Sequence, residues 1–186
     1  MDLFEFILII TSVIYAMAVA QILSGVSRLA QTDAKIRWYL PHTLWVAILF
    51  NWVFLVWWSV WEFRSVDWTF PSYLYMLIAP TLVFFTCSLL IPQNQNKENV
   101  DLEAHYFRIR RPFLWSFAVA SFVAVVDGSV LANEPLWFPT RIGHVVLIAA
   151  VLVGPHTENK HVHTAVAAIV MLALVYITIT RLWNPR

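Results

Sequence analysis

Long apolar runs alternate with short polar breaks along the whole chain, and each run has the length of a bilayer crossing rather than that of a strand. At 1.5 Å per residue, a helix needs roughly 20 apolar residues to cross a hydrocarbon layer about 30 Å thick. Runs that meet or approach this length fall at about residues 3–29, 41–63, 72–91, 112–132, 137–154 and 161–183. The pattern predicts an all-α fold: an integral membrane helical bundle with about six transmembrane helices, residues 1–186 forming a single transmembrane domain.

The breaks have their own chemistry. Pro112 and Pro139 sit where helices are expected to start, and Gly154-Pro155 ends the fifth run. Pro92 closes the third run and is followed by the polar stretch Gln93 to Asn99, the clearest linker. Just after it, Leu102, Tyr106, Ile109 and Phe113 recur at helical spacing, so residues 101–111 form an expected amphipathic segment. Arg108, Arg110 and Arg111 on that segment suit anionic lipid headgroups; a solubilising loop is the alternative.

Composition agrees with a chain dissolved in lipid. Hydrophobic residues make up 60% and charged residues 12%, with a mean hydropathy of +0.70, too apolar for a water-soluble domain to bury. The net charge of +1 and the scatter of Lys and Arg over short loops leave no footprint for nucleic acid. Cys87 is the single cysteine, which excludes intrachain disulfides and thiolate metal clusters. The first run has no basic leader and continues far beyond a signal core, so it is expected to stay in the mature protein.

Loop charges set an expected orientation. Arg28, Lys35, Arg37, Lys97, Arg108, Arg110, Arg111 and Lys160 fall on one side, against Arg64, Arg141, Arg181 and Arg186 on the other. The positive-inside rule then puts both termini on the non-cytoplasmic side.

Small residues recur at every fourth position in two runs: Ser12, Ala16, Ala20 and Ser24 in the first, Ser116, Ala120, Ala124 and Gly128 in the fourth. In lipid, small faces let helix backbones approach closely. The expectation is that these two helices pack on each other, with an oligomer interface or a substrate-lining face as alternatives. Each stripe opens a group of three runs, which also raises an inverted repeat. Only the second run is rich in tryptophan, which weakens that idea.

Trp38, Trp61, Trp68 and Tyr73 fall where an aromatic belt would lie. Trp45 and Trp52 fall deeper and either pack as core or line a hydrophobic ligand. Asp127 lies five residues before the end of its run at Ala132, roughly 7 Å below the boundary. It is expected to join Arg141, His144 and Arg181 in a polar cluster, as a tie between helices or as an ion or proton entry. Asn51, Thr81 and Ser121 are neutral groups near mid-depth and would line any pathway. His156, His161 and His163 form a histidine-rich loop whose spacing matches no metal motif, so no metal ligand is assigned.

No nucleophile elbow, phosphate loop, zinc-protease or haem motif occurs; no catalytic residue is assigned, and the sequence names no cofactor. The stretches Asp2 to Phe6, Leu23 to Leu29, Trp57 to Glu62 and Asp101 to Phe113 resemble a family of small bacterial multi-pass inner-membrane proteins of unknown function. The resemblance implies architecture and a bacterial inner (plasma) membrane only. The expected role is a non-enzymatic accessory or assembly component, acting in the lipid bilayer as a homo-oligomer or within a larger membrane complex. A small channel or transporter, or a membrane protein binding a hydrophobic cofactor or lipid, are the alternatives.

Overall fold

The computed structural model describes residues 2–92, 99–132 and 141–183, with the side chains of residues 181–183 left out. The chain is an all-α helical bundle, and five of its helical stretches are long and apolar enough to cross a membrane. In chain order the elements are α1 (Leu3–Gln31), β1 (Lys35–Arg37), α2 (Leu40–Ser59), α3 (Phe70–Met76), α4 (Ile78–Leu90), β2 (Asn99–Asp101), α5 (Leu102–Leu131), α6 (Ile142–Val153) and α7 (Lys160–Trp183).

Local chemistry sets the ends. Asp2 and Glu5 form a reciprocal capping box at the start of α1: the Glu5 amide donates to Asp2 Oδ1 at 2.7 Å, and the Asp2 amide to Glu5 Oε2 at 2.9 Å. Thr69 and Ser72 do the same for α3, and Asp101 accepts from the Ala104 amide at the start of α5. Pro41 occupies the first turn of α2, where its missing N–H costs nothing.

The third span is two helices rather than one. Pro80 has no N–H for the Met76 carbonyl, so α3 ends at Met76 and α4 begins at Ile78, with Leu77 between them. Pro112, by contrast, does not start a helix. It lies inside α5, so the amphipathic segment and the fourth span are one continuous helix of 30 residues. Such a helix is about 45 Å long, so its first turns stand clear of the hydrocarbon. Pro112 deprives the Arg108 carbonyl of its donor, but both residues are exposed, level with the arginines, where water completes the bond. The fifth span is also shorter than expected: α6 has 12 residues and runs on through a 3-10 turn, Gly154–His156. α6 by itself is about 18 Å long, and the turn after it carries the chain on to Pro155, whose carbonyl meets Arg111 of α5. Trp137 and Pro139, where the sequence starts this span, lie outside the described residues.

The helices pack as a closed ring in the order α1, α4, α5, α6, α7, α2 and back to α1, with α2 meeting α5 across the middle. Phe4 at the start of α1 stacks edge-on to Trp61 beyond the end of α2, so these two run antiparallel. Gly25 of α1 faces Ile91 at the end of α4, and a Cβ on Gly25 would collide with that side chain. The two groups of three do not pack alike. α1 packs against the third span, whereas α5 packs against the fifth rather than the sixth, which is not the equivalence an inverted repeat requires.

A short parallel ribbon closes one end. β1 pairs with β2 in the register Lys35 to Asn99, Ile36 to Val100 and Arg37 to Asp101, tying the connection after α1 to that before α5.

Candidate functional site

The middle of the ring is where a pathway or ligand would have to lie, and it is occupied by rings. Trp45 of α2 is fully buried and meets Phe113 and Phe117 of α5 edge-on, with centroids 5.0 and 5.1 Å away. One helical layer along, Trp52 lies 4.5 Å from Phe117. Edge-to-face contact at these separations is dense packing. Of the two readings of Trp45 and Trp52, these contacts favour packing as core over lining a hydrophobic ligand. Among the described residues a cavity of about 20 Å³ lies beside them, touched by Trp52, Ser59, Ser121 and His144. That is room for one water. The Ser121 hydroxyl is buried there without a hydrogen-bond partner.

The three neutral groups expected to share a pathway are separated. Ser121 faces this cavity, but Asn51 and Thr81 are exposed on the outside of the ring. Thr81 satisfies its hydroxyl on its own helix by donating to the Leu77 carbonyl at 2.7 Å. No line of polar groups joins them.

At the end away from the ribbon, Asp127 of α5 is buried, with 7% of its surface exposed. The Tyr75 hydroxyl of α3 faces the carboxylate, whose Oδ1 has no hydrogen-bond partner. Arg141 donates to Ser129 at 3.3 Å, tying the start of α6 to α5, while His144 lines the small cavity. Of the expected cluster, Asp127 sits beside Tyr75 of α3 and His144 beside Ser121 at the cavity. Arg181 lies in the last turn of α7, and its side chain is outside the described residues. The sequence reading missed Tyr75 because it sits among the apolar and aromatic residues that open the third span.

The ribbon end carries the densest polar network. The carbonyl of Leu90, at the end of α4, has no donor within its helix. His42 of α2 and His105 of α5 both donate Nε2–H to it, at 3.1 and 3.0 Å. Tyr106 of α5 donates its hydroxyl to Nδ1 of His163 at 2.9 Å, and His163 Nε2–H donates to the Thr157 carbonyl at 3.1 Å. Around these, Arg37 reaches Asp101 and Glu103 at 3.0 and 3.1 Å, Lys160 pairs with Glu103, and Arg110 pairs with Glu158 at 2.6 Å. Arg111 donates to the Pro155 carbonyl at 3.3 Å and Arg108 to His105. The arginines expected at lipid headgroups are thus engaged within the chain. His156 and His161 are exposed, and among the described residues no group of three or more His, Cys, Asp or Glu is placed to hold a metal ion.

The small-residue stripes part company. In α5, Ser116 and Ala120 are buried and Ala124 and Gly128 half-buried, between α4 and α6, with Thr86 of α4 and Ser116 joined through their hydroxyls at 2.6 Å. In α1, Ser12 accepts from Trp57 Nε1 at 3.0 Å, but Ala16, Ala20 and Ser24 are exposed. The expected packing of the two stripes on each other does not occur, because α4 stands between α1 and α5 in the ring. Comparison with protein-family models, with curated proteins and with solved structures gives no match.

Proposed function

We propose that this protein is a non-enzymatic accessory or assembly component that works through its lipid-facing helix surfaces. The observation that carries this reading is the filled centre: Trp45, Trp52, Phe113 and Phe117 interlock where a pore or cofactor would have to pass. The polar network at the ribbon end binds α2, α4, α5 and α7 to one another through satisfied hydrogen bonds, as suits a rigid body presenting fixed surfaces. A bacterial inner membrane with both termini outside the cytoplasm is part of the proposal, supported by the loop charges and by the sequence resemblance.

The test pairs native mass spectrometry from mild detergent with solute flux in liposomes. A defined assembly together with no flux over a broad panel of ions and small solutes is the expected result; flux from the purified protein overturns it. One observation favours the rival, a small transporter: the buried Asp127 carboxylate with its unpartnered Oδ1. Flux that is lost in Asp127→Asn would establish that rival instead.

A further inference from the structure

Asn51 is the twelfth of the 24 residues from Leu40 to Phe63, which places it at the centre of the second span. It is exposed, on the outer face of α2 with Thr43, Ala47, Phe54 and Trp58. Exposure here means contact with hydrocarbon, which offers an amide nothing. Serine and threonine hydroxyls at exposed or half-buried positions of these helices escape that cost by bonding carbonyls of their own helix, as Thr81, Ser88 and Thr178 do at 2.7 to 2.8 Å. Asn51 makes no such bond among the described residues. A polar side chain this short cannot reach the interface from mid-depth, so a partner helix must supply its donor and acceptor.

We infer that the outer face of α2 is the contact between two copies of this chain, with the two Asn51 side chains hydrogen-bonded across a two-fold axis. A carboxamide carries a donor and an acceptor and so complements itself, which is what a symmetric contact between identical surfaces requires. The rest of the face fits a helix of the same kind. Thr43 and Ala47 are small and permit close approach on one half, and Phe50 and Phe54, already edge-on at 5.0 Å, offer aromatic surface on the other. Of Ala16, Ala20 and Ser24, exposed on α1, only Ser24 carries a polar group, and it sits seven residues from the end of its helix rather than at the centre of the span. The inference deepens the assembly reading by naming the partner as a second copy and the contact as α2.

The test uses the full chain in liposomes. Oxidation of Ala47→Cys, which lies on the same exposed face and keeps Asn51, is expected to yield a disulfide-linked dimer. The wild type, whose only cysteine Cys87 is fully buried, and Phe122→Cys, exposed on α5 across the ring, are expected to form no disulfide-linked dimer. By energy transfer between labelled copies, Asn51→Leu should weaken association about 3- to 30-fold and Asn51→Gln should restore much of it, the scale of an interhelical amide pair. Self-association that Asn51→Leu leaves unchanged overturns the inference and leaves the assembly reading standing. So does a chain that stays monomeric alone yet loses a different co-purifying protein when Asn51 is replaced. A chain monomeric at every density and without any partner overturns both.

Discussion

The hydroxyl of Tyr106 and Nδ1 of His163 lie 2.9 Å apart, while the Thr157 carbonyl, able only to accept, holds a proton on Nε2, so in the neutral ring Nδ1 takes the hydrogen of the tyrosine. Both residues are buried, one on α5 and the other on α7, so the bond couples helices that are not neighbours in the ring. Removing the hydroxyl leaves a buried nitrogen without its donor. Tyr106→Phe should therefore lower stability by about 1–3 kcal/mol, seen as an earlier thermal transition in detergent. An unchanged transition would mean that the bond does not matter.

Gly25 is the second such point. Because a Cβ there would collide with Ile91, α1 and α4 owe their close approach to this residue. Gly25→Val should destabilise by about 1–3 kcal/mol through overpacking, and adding Ile91→Ala should recover part of the loss. Thermal unfolding of the two single variants and the double variant measures the coupling. Strict additivity would disprove the contact.

The spans were legible because each apolar run had to match the bilayer. Which side of each helix faces inward was not, because lipid is as apolar as a protein core and hydrophobicity no longer marks the buried face. Trp45 and Trp58 show this on a single helix, the first fully buried and the second 58% exposed. Asn51 looked like a pathway residue for the same reason: its depth could be counted, its direction could not. The Leu90 carbonyl bracket joins residues 48 and 15 positions apart, and no local signal announces it. Pro80 and Pro112 were visible as punctuation, but whether a proline breaks a helix depends on what surrounds the freed carbonyl.

The aromatic layer makes a sharper test of the filled centre. Trp45 has no exposed surface and two ring neighbours at about 5 Å. Trp45→Ala should cost about 3–5 kcal/mol and open a cavity that small apolar molecules enter, as xenon does in engineered cavities. Trp45→Phe should cost much less. If Trp45→Ala were as stable as the wild type, the centre would not be packed and the argument against a pathway would fall with it.

Asp101 gives the ribbon end a dependence on pH. The Ala104 amide, first, and the Arg37 guanidinium hold its carboxyl below the ordinary value of 3.8, against a smaller opposing effect of desolvation. A carboxyl depressed in the folded state stabilises the fold fully above its unfolded value, and that contribution drains away as pH falls through the folded value. The loss therefore lies below pH 3.8, not near neutrality. Asp101→Asn keeps an oxygen for the cap but gives up the charge facing Arg37, so it should be less stable than the wild type at about pH 6 and indistinguishable from it once the carboxyl is protonated. Asp101→Ala removes the cap as well, so it should still cost about 1 kcal/mol once the wild-type carboxyl is protonated, and more at about pH 6. Thermal transitions of the three proteins across the acid range decide it: a gap between wild type and Asp101→Asn that widens as pH falls would have the wrong sign and refute the assignment.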